Sequence, residues 1–166
     1  TLYMPATRPD LRELLEGRKK PGLRSLVLCT EDAMHPNALP RAFANLREVL
    51  PGLSNRGPLR FIRPRDPDVL DKVLGIPGTE NLHGVSLPKL DESNIDDYLR
   101  VLSRAPWLTI MPIVETDIAF SLDGLARRVG RLLVPQPGAE ALVQFGADEG
   151  EPLQHGQALA GAGLTD

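Results

Sequence analysis

Short apolar runs alternate along this chain with longer amphipathic stretches, and that alternation predicts its elements. Leu2-Tyr3-Met4 is a first short run, cut by Pro5, and Asp10 after Arg8-Pro9 is placed to cap a helix over residues 11–17. A second apolar run over 23–29 ends at the polar break Thr30-Glu31-Asp32. Residues 38–50 then bring Leu39, Ala42, Phe43, Leu46 and Leu50 onto one helical face. Short apolar runs give a third strand over 59–62 and a fourth over 85–87, and helical spacing gives a short helix over 68–74 and another over 94–102. A fifth strand is expected over 108–114, a further helix over 118–134 broken near Gly124, and a sixth strand over 141–145.

Strands that alternate with helices of this length are the pattern of parallel βα units. Apolar runs without strict alternation fit strands covered on both faces. Each run closes on a polar cluster: Pro5-Ala6-Thr7-Arg8, Thr30-Glu31-Asp32, Arg63-Pro64-Arg65, Pro88-Lys89 and Glu115-Thr116-Asp117. Ligand groups occupy strand ends both in a closed barrel and in a doubly wound sheet, so the pattern by itself leaves the two architectures open. Beyond Val134 the organisation weakens through Pro135-Gln136-Pro137-Gly138. A domain over 1–149 is expected, followed by a Gly/Ala-rich, loosely ordered tail or stub over 150–166.

The length of 166 residues suits one domain core. It is short for a closed eight-unit barrel, which takes about 250 residues. Nineteen Lys and Arg nearly cancel 22 Asp and Glu, and the arginines are scattered, so a nucleic-acid partner is not expected. No apolar run approaches the roughly 18 residues that span a bilayer, which predicts no membrane partner and a cytoplasmic protein. There is no signal-peptide pattern at the start, and a chain that opens on Thr1 is expected to have lost residues there. Cys29 is the one cysteine, which excludes an intrachain disulfide and Cys₄ or Cys₂His₂ zinc sites. Within the run Leu26-Val27-Leu28-Cys29 it reads as core packing before it reads as a nucleophile.

The acidic groups at strand ends carry most of the chemistry. Carboxylates from Glu31, Asp32 and Glu115 converging on one rim would repel one another unless a cation sat between them, and oxygen ligands of this kind suit Mg²⁺ or Mn²⁺. Each could instead cap the helix that follows it. Arg63 presents a planar fork that takes a carboxylate in two parallel bonds, so it could hold a carboxylated substrate or close an internal salt bridge to Glu31 or Asp32. Lys89 raises the further possibility of a Schiff-base lysine, although its flanks lack the apolar burial that would lower its pKa. Ser25, Thr30 and Ser86 lack a glycine-flanked elbow, and no glycine cradle for a nucleotide occurs. Gly146-Ala147-Asp148-Glu149-Gly150 reads as a turn or as a further metal carboxylate.

In order along the chain stand Tyr3-Met4-Pro5-Ala6-Thr7-Arg8-Pro9, Leu28-Cys29-Thr30-Glu31-Asp32-Ala33, Phe61-Ile62-Arg63-Pro64, Gly84-Val85-Ser86-Leu87-Pro88-Lys89 and Ile113-Val114-Glu115-Thr116. This series resembles the citrate lyase beta-subunit and HpcH/HpaI aldolase superfamily over about residues 2–117. It is more closely similar to the C–C bond lyase-like branch associated with tellurium-resistance and stress-response gene clusters. The resemblance implies an α/β fold, a (β/α)₈ TIM barrel that is incomplete here, with about five or six βα units. It also implies a Mg²⁺-dependent (or Mn²⁺-dependent) lyase or aldolase that makes or breaks a C–C bond next to a carboxylate. The substrate would be a 2-oxo acid or an acyl-thioester, a coenzyme A thioester among them. By that resemblance Glu115 is a metal ligand with Asp148 as the second, Arg63 clamps the substrate and serves catalysis, and Glu31 and Asp32 orient metal-bound water or substrate. Arg8 and Lys89 bind substrate at the same mouth.

The sequence departs from the family pattern where Pro64-Arg65 follows Arg63 in place of Val-Asn, and around Asp148, whose context is a loose match. An unclosed sheet exposes two edges and an unfinished interior, so a homo-oligomer or a further chain segment is expected to complete the barrel. The alternative function is a non-catalytic binding or assembly component of a stress-response system.

Overall fold

Among the described residues, five short strands lie side by side in one parallel sheet: Leu2–Pro5 (β1), Ser25–Cys29 (β2), Leu59–Arg63 (β3), Gly84–Leu87 (β4) and Thr109–Pro112 (β5). The computed structural model describes residues 1–54, 56–113 and, singly, 115, 126 and 130. Their order across the sheet is the order of the chain, and helices Leu11–Leu15 (α1), Leu39–Val49 (α2), Pro67–Leu74 (α3) and Ile95–Leu102 (α4) occupy the connections. A doubly wound sheet jumps in strand order at its switch point, and this one does not. The architecture is an incomplete α/β barrel.

Strand alternation divides the sheet into two faces. Met4, Leu26, Leu28, Ile62, Val85 and Ile110 join the helices in one buried core, where Leu14, Leu46, Leu70 and Tyr98 pack against them. The opposite, inner face carries a layer in continuous register, Tyr3 beside Val27, Val27 beside Phe61, Phe61 beside Gly84 and Gly84 beside Thr109. Toward the carboxyl ends of the strands, Pro5 pairs with Cys29 and Cys29 with Arg63, while Ser86 pairs with Met111. The sequence Leu59-Arg60-Phe61-Ile62-Arg63 therefore sends its two arginines to opposite faces. Arg60 is buried on the helix side, where its guanidinium donates to the carbonyls of Leu15 at 3.1 Å, Ser54 at 2.7 Å and Arg56 at 2.7 Å.

The inner layer has room for a side chain at Phe61 because there is none at Gly84. A Cβ at Gly84 would stand 2.5 Å from the Phe61 ring and 2.5 Å from the Thr109 carbonyl oxygen. The ring could rotate away, but the carbonyl is fixed in the backbone of β5. Gly84→Ala is expected to lower stability by about 2 kcal/mol, within the range of overpacked cores. Urea unfolding measures it, and an unchanged midpoint would show that β4 and β5 splay freely.

Element bounds follow the sequence pattern closely, and the differences have local causes. The helix after Asp10 runs Leu11–Leu15 and not to residue 17, and Asp10 makes no side-chain cap bond because Arg8 and Lys19 hold its carboxylate. A 3₁₀ turn, Pro36–Ala38, precedes α2. Helix α3 starts at Pro67, where Asp66 Oδ1 accepts the Val69 N–H at 2.7 Å. Strand β5 spans Thr109–Pro112, inside the expected 108–114. The helix expected over 118–134, apart from Ala126 and Gly130, lies outside the described residues, as do the strand over 141–145 and the tail from residue 150. No helix among the described residues is long and apolar enough to cross a membrane.

Candidate active site

Arg63 ends β3 on the inner face, and the backbone around it brings the acidic residues of β2 within reach. Pairing continues past β2: the Thr30 N–H donates to the Arg63 carbonyl at 2.9 Å and the Thr30 hydroxyl to the same oxygen at 3.0 Å. That sets Glu31 directly above Arg63, with only 2% of its surface exposed. Arg63 Nε donates to Glu31 Oε2 at 2.6 Å, and Nη2 lies 3.1 Å from Glu115 Oε1 and 3.7 Å from Asp32 Oδ2.

Lys89 closes the cluster from β4. Its Nζ lies 2.9 Å from Glu31 Oε1 and 3.7 Å from Asp32 Oδ1, and its backbone N–H donates to Glu115 Oε1 at 3.3 Å. Pairing beyond β5, from the Ile113 N–H to the Leu87 carbonyl at 2.8 Å and from the Leu90 N–H to the Ile113 carbonyl at 3.3 Å, carries Glu115 to this position. Lys89 has φ +47°, which among the described residues no other non-glycine residue matches in sign. A left-handed lysine costs about 1–2 kcal/mol, and here the turn lets one residue offer both its amide and its ammonium to the carboxylates.

The cluster is graded in exposure. Glu31 is buried and Arg63 half-buried at its base, whereas Lys89, Glu115 and Asp32 face outward. Burial alone would raise the Glu31 carboxyl, but the hydrogen bonds from Lys89 and Arg63 outweigh it and hold the group below the usual carboxylate range. Burial likewise works against the charge on Arg63, yet Glu31 and Glu115 carry its pKa upward. The hydrogen bond to Glu31 raises the Lys89 pKa, so its amine stays protonated. That is the reverse of what a Schiff-base nucleophile requires. Three carboxylates against two cations, 2 − 3 = −1, leave the cluster one negative charge in excess.

Five of the residues singled out in the sequence, Glu31, Asp32, Arg63, Lys89 and Glu115, are brought together in this way. Arg8 is not. It follows β1, but Asp10 two residues on takes its guanidinium in two bonds of 2.7 Å, and no ion pair among the described residues joins it to the cluster. Asp148 lies outside the described residues. Glu31 does not cap a helix: the turn that follows is capped by His35, whose Nδ1 accepts the Asn37 N–H at 3.3 Å. Cys29 is buried beneath the site, and its sulfur accepts the Glu31 N–H at 3.4 Å. Arg65, given no role by the sequence pattern, donates to the carbonyls of Glu31 at 2.8 Å and Met34 at 3.2 Å and so fixes the loop that carries Glu31 and Asp32.

Among the described residues no group of three His, Cys, Asp or Glu side chains could hold a metal ion. A Mg²⁺ ion asks for less, being held by one or two protein carboxylates and several waters. A charge excess of −1, deepened when an anionic substrate arrives, is also one that a divalent cation would offset. Glu115 therefore suits a Mg²⁺ ligand by charge and exposure. A cavity of about 550 Å³ lies elsewhere, toward the amino ends of the strands, lined by Leu59, Phe61, His83, Trp107 and Thr109 among others.

A family model described as C-C_Bond_Lyase of the TIM-Barrel fold matches residues 1–133. The match takes in the whole cluster. No curated protein matches the chain.

Proposed function

The chain belongs to the C–C bond lyase family of the TIM-barrel fold, and from that premise we propose that it cleaves or forms a C–C bond next to a carboxylate in a 2-oxo acid or acyl-thioester, a coenzyme A thioester among them. The observation that carries this reading is Arg63, a half-buried fork whose Nε and Nη2 both meet Glu31 Oε2 at 2.6 Å while Nη2 also rests on the more exposed Glu115. An incoming carboxylate can displace Glu115 from Nη2 while Glu31 keeps the guanidinium in place. Cleavage beside a carbonyl leaves an enolate, and its negative charge would develop next to Arg63 and the protonated Lys89. Asp32, open to solvent, orients substrate or water at the mouth. A Mg²⁺ or Mn²⁺ ion held by Glu115, with Asp148 as second ligand, would supply further positive charge to the enolate oxygen.

The half-exposed inner-face side chains Tyr3 and Leu59, with Trp107 at the amino edge, are the surface that further βα units, from a longer chain or from a second copy, would cover in a complete barrel. Calorimetric titration with Mg²⁺, alongside cleavage assays on small hydroxy and oxo acids, tests the proposal. Glu115→Gln is expected to weaken Mg²⁺ binding at least about tenfold, because an amide is a poor ligand for a hard cation. Equal affinity in the two proteins would remove Glu115 as a ligand, and absence of cleavage on every carboxylated substrate with the metal present would sink the lyase reading.

A further inference from the structure

Ser86 lies within β4, fully buried, and its hydroxyl has no hydrogen-bond partner among the described residues. A buried hydroxyl left unpaired carries its full desolvation penalty, which an alanine there would avoid. The contrast with Thr30, equally buried but bonded to the Arg63 carbonyl, shows that burial in this sheet does not by itself orphan a hydroxyl.

The register shows where the Ser86 side chain points. A Cβ on Gly84 would strike the Phe61 ring, so positions 84 and 61 share the inner face. Alternation carries that face to Ser86 and Arg63, two residues further along each strand. Phe61 is beside Gly84 and Ile62 beside Val85, and that register continued by one step would set Arg63 level with Ser86. Neighbouring strands are about 4.8 Å apart, a spacing at which a hydroxyl on one and a guanidinium on the next can share an oxygen atom between them. Three residues beyond Ser86, Lys89 turns back over the same end of the sheet, so the hydroxyl sits at the floor of the Arg63–Lys89–Glu115 cluster.

We propose that Ser86 is a substrate-binding residue whose hydroxyl donates to the oxygen of a compact planar carboxylate or 2-oxo acid that Arg63 receives. The inference rests on the reading of Arg63 given above, and it adds a specificity element: a small anion reaching down to the floor satisfies both donors, whereas a bulkier head held only at the mouth leaves the hydroxyl unpaired. Discrimination of this kind is strong because the penalty falls on a buried polar group.

Calorimetry with oxalate and pyruvate in the presence of Mg²⁺, on the whole chain and on Ser86→Ala, Ser86→Cys and Arg63→Gln, tests it. Ser86→Ala is expected to weaken oxalate binding about tenfold or more, with a melting temperature in the absence of ligand equal to or above that of the unaltered chain. Ser86→Cys, of similar size and a weaker donor, should fall between. Wild-type affinity in Ser86→Ala, or in Ser86→Cys should the alanine variant not fold, together with loss of binding in Arg63→Gln, would overturn the role of Ser86 and leave that of Arg63 standing. A lower melting temperature in ligand-free Ser86→Ala with unchanged oxalate affinity would assign the hydroxyl to the fold. Failure of the unaltered chain to bind either anion would overturn both readings.

Discussion

Arg63→Gln is expected to weaken binding of a small carboxylate such as pyruvate by about 30-fold or more and to lower turnover with it at least as much. The guanidinium is the group at the strand ends that meets Glu31, Asp32 and Glu115 together. Glutamine removes the fork that a substrate carboxylate would engage, and truncating one side of a buried charged pair costs about 2–5 kcal/mol, which at 1.4 kcal/mol per decade is roughly 30-fold to several thousand-fold. The charge balance reinforces the loss, because one cation fewer takes the cluster from −1 to −2, and an arriving anion would meet net repulsion. Arg63→Lys separates the two causes: it keeps the charge but not the planar geometry, and should recover only part of the affinity. Titration of the folded variants, with circular dichroism to verify the fold, decides the matter, and wild-type affinity in Arg63→Gln would show that substrate is held elsewhere.

The strands were legible in the sequence because the physics that sets them is local, whereas their order across the sheet followed only from the family resemblance. Apolar runs closed by polar clusters, separated by stretches of helical period, marked all five strands described here and left only their edges to be adjusted. The cluster was legible as a set of strand-end residues, since successive parallel strands bring their carboxyl ends together whatever their separation in the chain. Its wiring was not. Arg63 had two open readings, substrate clamp or salt bridge to the acids after β2, and its contact with Glu115, 52 residues away, depends on how far pairing continues beyond β5.

Arg8 shows the opposite failure. Asp10 was visible in the sequence as a helix cap, but an aspartate two residues from an arginine and nine from a lysine is captured by the stronger, charged partners, and this removes both the cap and the free guanidinium. Lys89 in a left-handed turn carried no sequence signal, because such turns are ordinarily announced by glycine or asparagine. In the sequence Ser86 read only as a nucleophile set aside for want of a glycine-flanked elbow, and only the packed structure shows that its hydroxyl is unpaired.

Glu31→Gln is expected to destabilise the fold by about 1.5–3 kcal/mol at pH 7, the range for hydrogen bonds to a charged group, and the difference from the unaltered chain should fade in acid. Both Glu31 oxygens are engaged, Oε2 by Arg63 and Oε1 by Lys89, and the residue is buried. An amide keeps the shape but loses the charge that Arg63 and Lys89 are placed to meet, leaving those cations to Asp32 and Glu115. The pH dependence follows from the direction of the shift. The folded-state pKa of Glu31 lies below its ordinary value of 4.5, so the unfolded chain takes up the proton first. The stabilisation is therefore fully present above about pH 4.5 and is lost as pH falls through the lower, folded value. Lys89 sets the other limb: its raised pKa leaves its contribution intact below the ordinary 10.5 and removes it as pH rises through the folded value. Asp10, also lowered by its contacts with Arg8 and Lys19, adds to acid sensitivity in both proteins and cancels in the comparison. Urea unfolding of the two proteins at pH 7 and at pH 3 reads the effect directly. A gap that stays constant between the two pH values would mean that Glu31 acts through packing and hydrogen-bond geometry alone, and that its charge is not what holds Arg63 upright at the mouth of the barrel.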